Sequence, residues 1–183
     1  HNPDTWEKGG KEYSATEIAE RVIKYKSYFG SDGGITLSGG EPLLQADFCK
    51  ELFTVLKEQG INTCLDTSGS ILNDSVKALL QLTDRVLLDI KYVDNEKYLK
   101  YVGCSLDKVV AFLEYLNEKN VPTTVRQVII PTLNDDEESV LKLKRLTEQY
   151  SVVDKIELLP FKKICRTKYE NMGIPFPLDH LPT

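Results

Sequence analysis

Apolar residues along this chain alternate between two rhythms, one helical and one of short continuous runs. Ile18, Val22, Tyr25 and Phe29 share one helical face behind Ser14-x-x-Glu17, which reads as a capping box. Ile35-Thr36-Leu37 predicts a strand at 35–38, broken by Gly39-Gly40-Glu41, and Pro42 opens what reads as a helix. From about Asp47, Phe48, Leu52, Val55 and Leu56 form the next apolar stripe, which Gly60 ends. "NTCLDTSG" is a second strand and turn, followed by a short helix carrying Val76, Leu79 and Leu80. "RVLLDIK" is a third strand, and after a linking segment Val109, Leu113 and Leu116 mark another helix. "TTVRQVIIP" is a fourth strand, stopped by Pro131, and Asn134-x-x-Glu137 predicts the cap of a helix bearing Val140, Leu143 and Leu146. "KIELLPF" is a fifth strand, and "GIPFPLDHLPT", residues 173–183, reads as an irregular tail.

Strands alternating with helices predict a parallel sheet, and near-continuous apolar runs suit a sheet covered on both faces or closed into a barrel. Crossovers are expected to be right-handed. No linker or internal repeat breaks the series, so residues 1–183 read as one α/β domain. The length of 183 residues, 41% hydrophobic and 28% charged, supports a single sizeable core. A net charge of −5 gives no electrostatic support to a nucleic-acid or anionic-membrane partner. No long apolar run, leader or lipidation motif is visible. Cys49, Cys64, Cys104 and Cys165 lie too far apart for a zinc or iron–sulfur spacing, and a disulfide framework does not suit so core-rich a chain. The expected location is the reducing cytoplasm.

In parallel α/β architectures, sites gather at the C-terminal ends of strands. Those ends read Gly39-Gly40-Glu41, Asp66-Thr67-Ser68, Asp89-Ile90-Lys91, Arg126-Gln127 and Lys162-Lys163. Adjacent glycines let backbone N–H and C=O groups approach a ligand with no Cβ in the way. The plain alternative is a tight turn in which Glu41 serves the following helix terminus. Neither a G-x-G-x-x-G fingerprint nor a phosphate-binding Gly-Lys-Ser/Thr is present. Asp89 and Lys91 lie two apart and share a face on a continuing strand, where the plain reading is an internal salt bridge. Asp66 is expected to end a neighbouring strand. Two carboxylates about 4 Å apart repel by roughly 1–4 kcal/mol, which a cation or a nearby Lys or Arg relieves. Arg126, inside an apolar strand, requires a carboxylate from protein or ligand. Lys91 and Arg126 together could grip an α-carboxylate. Cys49, Cys64, Trp6 and the tyrosines read as packing residues, and no nucleophilic triad is apparent.

With those residues in view, the chain closely resembles the pyruvate formate-lyase activating enzymes of the radical SAM superfamily. The matching stretches are "HNPDTW", "LSGGEP", "TCLDTSG", "LLDIK", "RQVIIP" and "KIELLP", in order over most of residues 1–172. The resemblance implies a partial (β/α)6 barrel of parallel strands that binds S-adenosylmethionine. It assigns cofactor binding to His1, Gly39, Gly40, Glu41, Asp89, Ile90, Lys91, Arg126 and Lys162. Gly40 would meet the amino group, and Lys91 and Arg126 the methionine carboxylate. Asp66, Thr67 and Asp89 match a monovalent-cation site. It also implies a 4Fe–4S cluster, a flavodoxin or ferredoxin donor, and a glycyl radical enzyme, pyruvate formate-lyase, as partner. A 5′-deoxyadenosyl radical derived from the cofactor takes hydrogen from a glycine of that partner.

Two departures accompany the match. The family's C-x3-C-x2-C cluster motif is expected to end just before His1, so the chain is expected to lack the cluster ligands, the first barrel strand and the last helix. As written it is expected to be inactive. Lys162 stands where the family usually has a histidine near the cofactor ribose. The absence of a cysteine-rich insert between His1 and Ser38 fits the compact type that activates pyruvate formate-lyase. Alternatives are a cluster-less barrel fragment that only binds a ligand or protein, an activase of another glycyl radical enzyme, or an unrelated α/β metabolite enzyme.

Overall fold

The computed structural model describes residues 11–182. The elements run α1 (Ala15–Ile23), β1 (Gly34–Leu37), α2 (Ala46–Glu58), β2 (Asn62–Thr67), α3 (Asp74–Leu80), β3 (Arg85–Asp89) and α4 (Asn95–Tyr101). They continue as α5 (Leu106–Glu118), β4 (Thr123–Ile129), α6 (Glu137–Thr147), β5 (Val153–Pro160) and α7 (Arg166–Asn171). All five strands read from the sequence form, and they pair in parallel in the order β1-β2-β3-β4-β5.

The unbroken order fixes the architecture. When each new strand adds at the same edge, right-handed crossovers carry every helix to the same side. A doubly wound sheet would need a reversal of order to put helices on both sides. Here there is none, so the chain follows the winding of a (β/α) barrel, left open. Burial agrees with that winding. Thr63, Leu65 and Thr67 of β2, Val86 and Leu88 of β3, and Val125 and Gln127 of β4 are buried. Their neighbours Cys64, Asp66, Leu87, Asp89 and Arg126 are half-buried on the other face. Of the two arrangements expected, a sheet covered on both faces or one closed into a barrel, the winding fits a partial barrel: one face is covered and the other is open and charged. Leu87 and Val128 on the open face, and threonines on the covered one, mask the alternation in the sequence.

The core lies between the covered face and the helices. Cys49, Leu52, Phe53 and Leu56 of α2 recur at helical spacing and are buried, as are Val109, Phe112, Leu113 and Leu116 of α5. Helix α2 packs between α1 and α3, and α4 packs on α5. The Ser14 capping box forms as expected, with Ser14 N–H donating to Glu17 (2.8 Å) and Glu17 N–H donating to Ser14 Oγ (3.2 Å). Pro42 opens a 3-10 turn, Pro42–Gln45, before α2 begins.

Three local features differ from the sequence reading. The linking segment after β3 contains α4, capped by Asp94, whose carboxylate accepts from Lys97 N–H at 3.0 Å. Helix α7 follows β5, where no helix was expected. Helix α6 is capped by Asp136, which accepts from the N–H and hydroxyl of Ser139 (2.9 and 2.7 Å). Asn134 is not the cap, because its side chain is buried in the preceding turn and bonded to the end of β4.

Gly34 shows how closely the first two strands approach. A Cβ there would lie 2.0 Å from the Asn62 carbonyl oxygen, its register partner in β2. Gly34→Ala is expected to lower the unfolding free energy by about 1–3 kcal/mol, the range for overpacked sites. Urea unfolding followed by circular dichroism checks this, and an unchanged midpoint would contradict the tight β1–β2 approach.

Candidate functional site

The C-terminal rim of the sheet begins with the glycine turn. Gly39 and Gly40 have φ of +87° and +54°, the left-handed region that favours glycine, and a Cβ on either would meet no atom within 4 Å. Their backbone therefore borders open space. Glu41 holds the turn in place. Its Oε1 accepts from Leu43 N–H (3.1 Å) and Thr67 Oγ1–H (2.6 Å), and its Oε2 from the N–H (2.9 Å) and hydroxyl (2.5 Å) of Ser68. One carboxylate thus joins the end of β1, the start of the 3-10 turn and the end of β2.

The open face beside this turn carries a four-residue charge cluster. Asp89 and Arg126 are direct register partners on β3 and β4. Arg126 Nε and Nη2 donate to Asp89 Oδ1 at 3.0 and 2.8 Å, and Nη2 also donates to Asp66 Oδ1. Ser38 Oγ donates to the other Asp66 oxygen at 2.9 Å. Lys91 Nζ lies 2.5 Å from Asp89 Oδ2. The Arg126, Asp66 and Asp89 side chains are only 17%, 19% and 23% exposed, so these charges interact with reduced solvent screening. Burial opposes the Arg126 charge, but Asp89 and Asp66 outweigh it and raise the guanidinium's pKa further above its usual range. The repulsion between the two carboxylates is relieved by Arg126 itself.

The cluster is balanced but not exhausted. A lysine ammonium has three donors and an arginine guanidinium five. The described bonds use Nε and Nη2 of Arg126, which leaves the Nη1 donors, and Lys91 has further N–H groups beyond the one on Asp89. Two carboxylates, two cations and bare glycine backbone on one rim form a donor set complementary to an amino-acid zwitterion.

The other residues singled out in the sequence divide clearly. Gly39, Gly40, Asp66, Asp89 and Lys91 lie at the C-terminal ends of strands or in the loops that follow them, whereas Arg126, expected at a strand end, lies in the middle of β4, three residues before Ile129. Glu41 turns its carboxylate to protein donors. The Ile90 side chain is buried, and its N–H donates to the Arg126 carbonyl at 2.9 Å. Thr67, next to Asp66 on β2, points to the covered face and gives its hydroxyl to Glu41, so it does not join the two aspartates through its side chain. Lys162 is exposed beyond β5. His1 lies outside the described residues. Ser38 was missed in the sequence, although its position one residue past β1 predicts a place beside Asp66 in the parallel register.

The described residues do not fit an iron–sulfur cluster. No group of three or more His, Cys, Asp or Glu among them could hold a metal ion. Cys49 is buried in α2, and burial pushes its thiol up to about 11. Cys64 is half-buried on the open face, and burial raises its pKa as well. Cys104 is half-buried and Cys165 exposed. No helix among the described residues is long and apolar enough to cross a membrane.

An open barrel wall with helices on one side and a rim of paired charges and bare glycine backbone on the other is the architecture of a partial (β/α)-barrel protein. Comparison with known proteins narrows the class. The radical SAM superfamily profile matches residues 1–143. The chain is 38% identical to a pyruvate formate-lyase-activating enzyme of Staphylococcus epidermidis, over 99% of this chain and 76% of that protein. It is 40% identical to the enzyme of the same name from Listeria monocytogenes, over 98% of this chain and 75% of that one. The chain therefore belongs to the radical SAM superfamily, among its pyruvate formate-lyase-activating enzymes.

Solved structures agree on the fold. A domain of pyruvate formate-lyase-activating enzyme from Bacteroides vulgatus matches with a TM-score of 0.64 at 20% identity, covering 77% of this chain and 95% of that one. Streptococcus suis SuiB bound to S-adenosylmethionine matches with a TM-score of 0.69 at 17% identity, covering 88% of this chain and 38% of that one. Enzymes of the superfamily use S-adenosylmethionine and a 4Fe–4S cluster.

Because Glu41 accepts four protein hydrogen bonds, its replacement tests the glycine turn directly. Glu41→Gln leaves one carbonyl oxygen and turns an NH2 toward donors. It is expected to destabilise the fold by about 1.5–3 kcal/mol, the scale of bonds to a charged group. Thermal unfolding at neutral pH measures this, and an unchanged midpoint would show that the turn does not depend on the carboxylate.

Proposed function

We propose that this chain supplies the S-adenosylmethionine-binding barrel wall of an enzyme that generates a glycyl radical on pyruvate formate-lyase. The observation that carries this reading is the pairing of Lys91 and Arg126 with Asp89 and Asp66 beside the open glycine turn. In this family S-adenosylmethionine supplies a 5′-deoxyadenosyl radical that removes a hydrogen atom from a glycine of the partner.

This chain's own residues bind and orient. Lys91 Nζ and Arg126 Nη1 take the methionine carboxylate through charge-assisted bonds. The Gly40 backbone receives the α-ammonium, and its missing side chain permits that approach. Asp89 and Asp66 hold the two cations in place before the ligand arrives, so little reorganisation accompanies binding. Asp66 and Asp89 are also the groups that would hold a monovalent cation, with Thr67 contributing from its main chain, since its hydroxyl serves Glu41. Lys162 takes the place near the ribose that the family usually gives to histidine.

Binding and reaction can be tested separately. Lys91→Met and Arg126→Lys are each expected to weaken S-adenosylmethionine binding about 10- to 100-fold, the equivalent of one charge-assisted hydrogen bond. Isothermal titration calorimetry measures this, and wild-type affinity in both variants would remove the carboxylate grip. In the holoenzyme, with reductant and without oxygen, pyruvate formate-lyase is expected to acquire an organic radical signal by electron paramagnetic resonance. Cofactor cleavage without that signal would assign the activity to another partner.

A further inference from the structure

Lys91 sits where β3 has ended, so its backbone is no longer held by a continuing ladder. Its strand stops at Asp89, and Ile90 N–H makes the last cross-strand bond, to the Arg126 carbonyl at 2.9 Å. The two residues that follow the strand are instead held by side chains. Lys91 N–H donates to Tyr98 Oη of α4 at 3.3 Å. Gln127 Nε2 donates to the Ile90 carbonyl at 3.0 Å. Asn134 Nδ2 reaches the Lys91 carbonyl at 3.5 Å and donates to the Val128 carbonyl at 3.0 Å, while its Oδ1 accepts from Ile130 N–H at 2.6 Å. Tyr98, Gln127 and Asn134 are 1%, 1% and 2% exposed.

Three buried polar side chains from three different segments therefore converge on one short stretch of main chain. Buried polar groups raise the energy of a core unless they are bonded. Gln127 is bonded on one side only, because its Oε1 has no partner. Replacing it with an apolar residue would move the orphan to the Ile90 carbonyl. The arrangement present leaves the main chain at 90–91 bonded and puts the unpaired acceptor on a side chain. A second tie holds the same region, since Lys97 Nζ of α4 donates to the Leu133 carbonyl, one residue before Asn134, at 2.7 Å.

We propose that Tyr98, Gln127 and Asn134 are positioning residues for Lys91, fixing its backbone so that Nζ stands ready for the carboxylate of the ligand. This rests on the reading of Lys91 as part of the S-adenosylmethionine carboxylate grip. Lys91 has a long, flexible stem, and a fixed main chain reduces the number of conformations lost when Nζ engages. Loosening the main chain should weaken the carboxylate contact and leave the rest of the ligand's contacts intact.

The test uses Tyr98→Phe, which keeps the buried ring and removes one acceptor, and Gln127→Met, which keeps the volume. Affinity is measured by calorimetry for S-adenosylmethionine and for its decarboxylated analogue, which lacks the group that Lys91 would hold. Each variant is expected to bind S-adenosylmethionine about two- to tenfold more weakly, the scale of one neutral hydrogen bond, and to bind the analogue as the wild type does. In a Lys91→Met background neither substitution should weaken binding further. Equal losses for both ligands, or full additivity with Lys91→Met, would reduce the three residues to general fold support and overturn the proposal. Unchanged affinity in both variants, with Lys91→Met alone still weak, would overturn it too and leave the grip standing. Wild-type affinity in Lys91→Met itself would instead bring down the grip.

Discussion

Arg126 lies in the middle of β4 and donates to two aspartates, on the open face of a sheet whose other face is buried. A lone guanidinium in that position would be costly, and so would two unrelieved carboxylates. Each charge makes the other tolerable, and the geometry follows from the winding. Parallel strands in unbroken order place Asp89 opposite Arg126 and bring Asp66 within reach from the next strand. The same winding sends the crossover helices to the far side, which leaves this cluster on an open face. The fold thus provides both the charges and access to them.

The neighbouring glycine turn depends on a different kind of constraint. Gly39 and Gly40 adopt conformations that other residues rarely enter, and Glu41 fixes the turn by accepting donors from β2 and the 3-10 turn. The turn and the cluster meet through Ser38 and Asp66. Together they present backbone, anions and cations on one rim. That combination suits a zwitterion better than a phosphate or a sugar, for which an amide nest or an array of neutral donors would be expected.

Much of this was legible in the sequence because charged residues interrupt or end the apolar strands. Asp66 and Asp89 announce the rim near the ends of β2 and β3, Arg126 announces the open face from within β4, and the Ser14 capping box announces α1. Sidedness was not legible. Leu87 sits on the open face and Thr63 on the covered one, so composition alone blurs the alternation. Asn134 resembles a helix cap by spacing, but the true cap is Asp136, because the Asn134 amide is taken up by the backbone of the preceding turn. Tyr98 read as packing and is nearly that, since only its hydroxyl reveals a link to Lys91. Such side-chain-to-backbone bonds depend on tertiary approach and leave no periodic trace.

The most direct measurement is a crystal structure of the holoenzyme with S-adenosylmethionine bound. The account predicts the methionine carboxylate within hydrogen-bond distance of Lys91 Nζ and Arg126 Nη1, and the ammonium against the Gly40 backbone. A ligand seated elsewhere, or one whose carboxylate leaves Lys91 and Arg126 bonded only to Asp89 and Asp66, would contradict it.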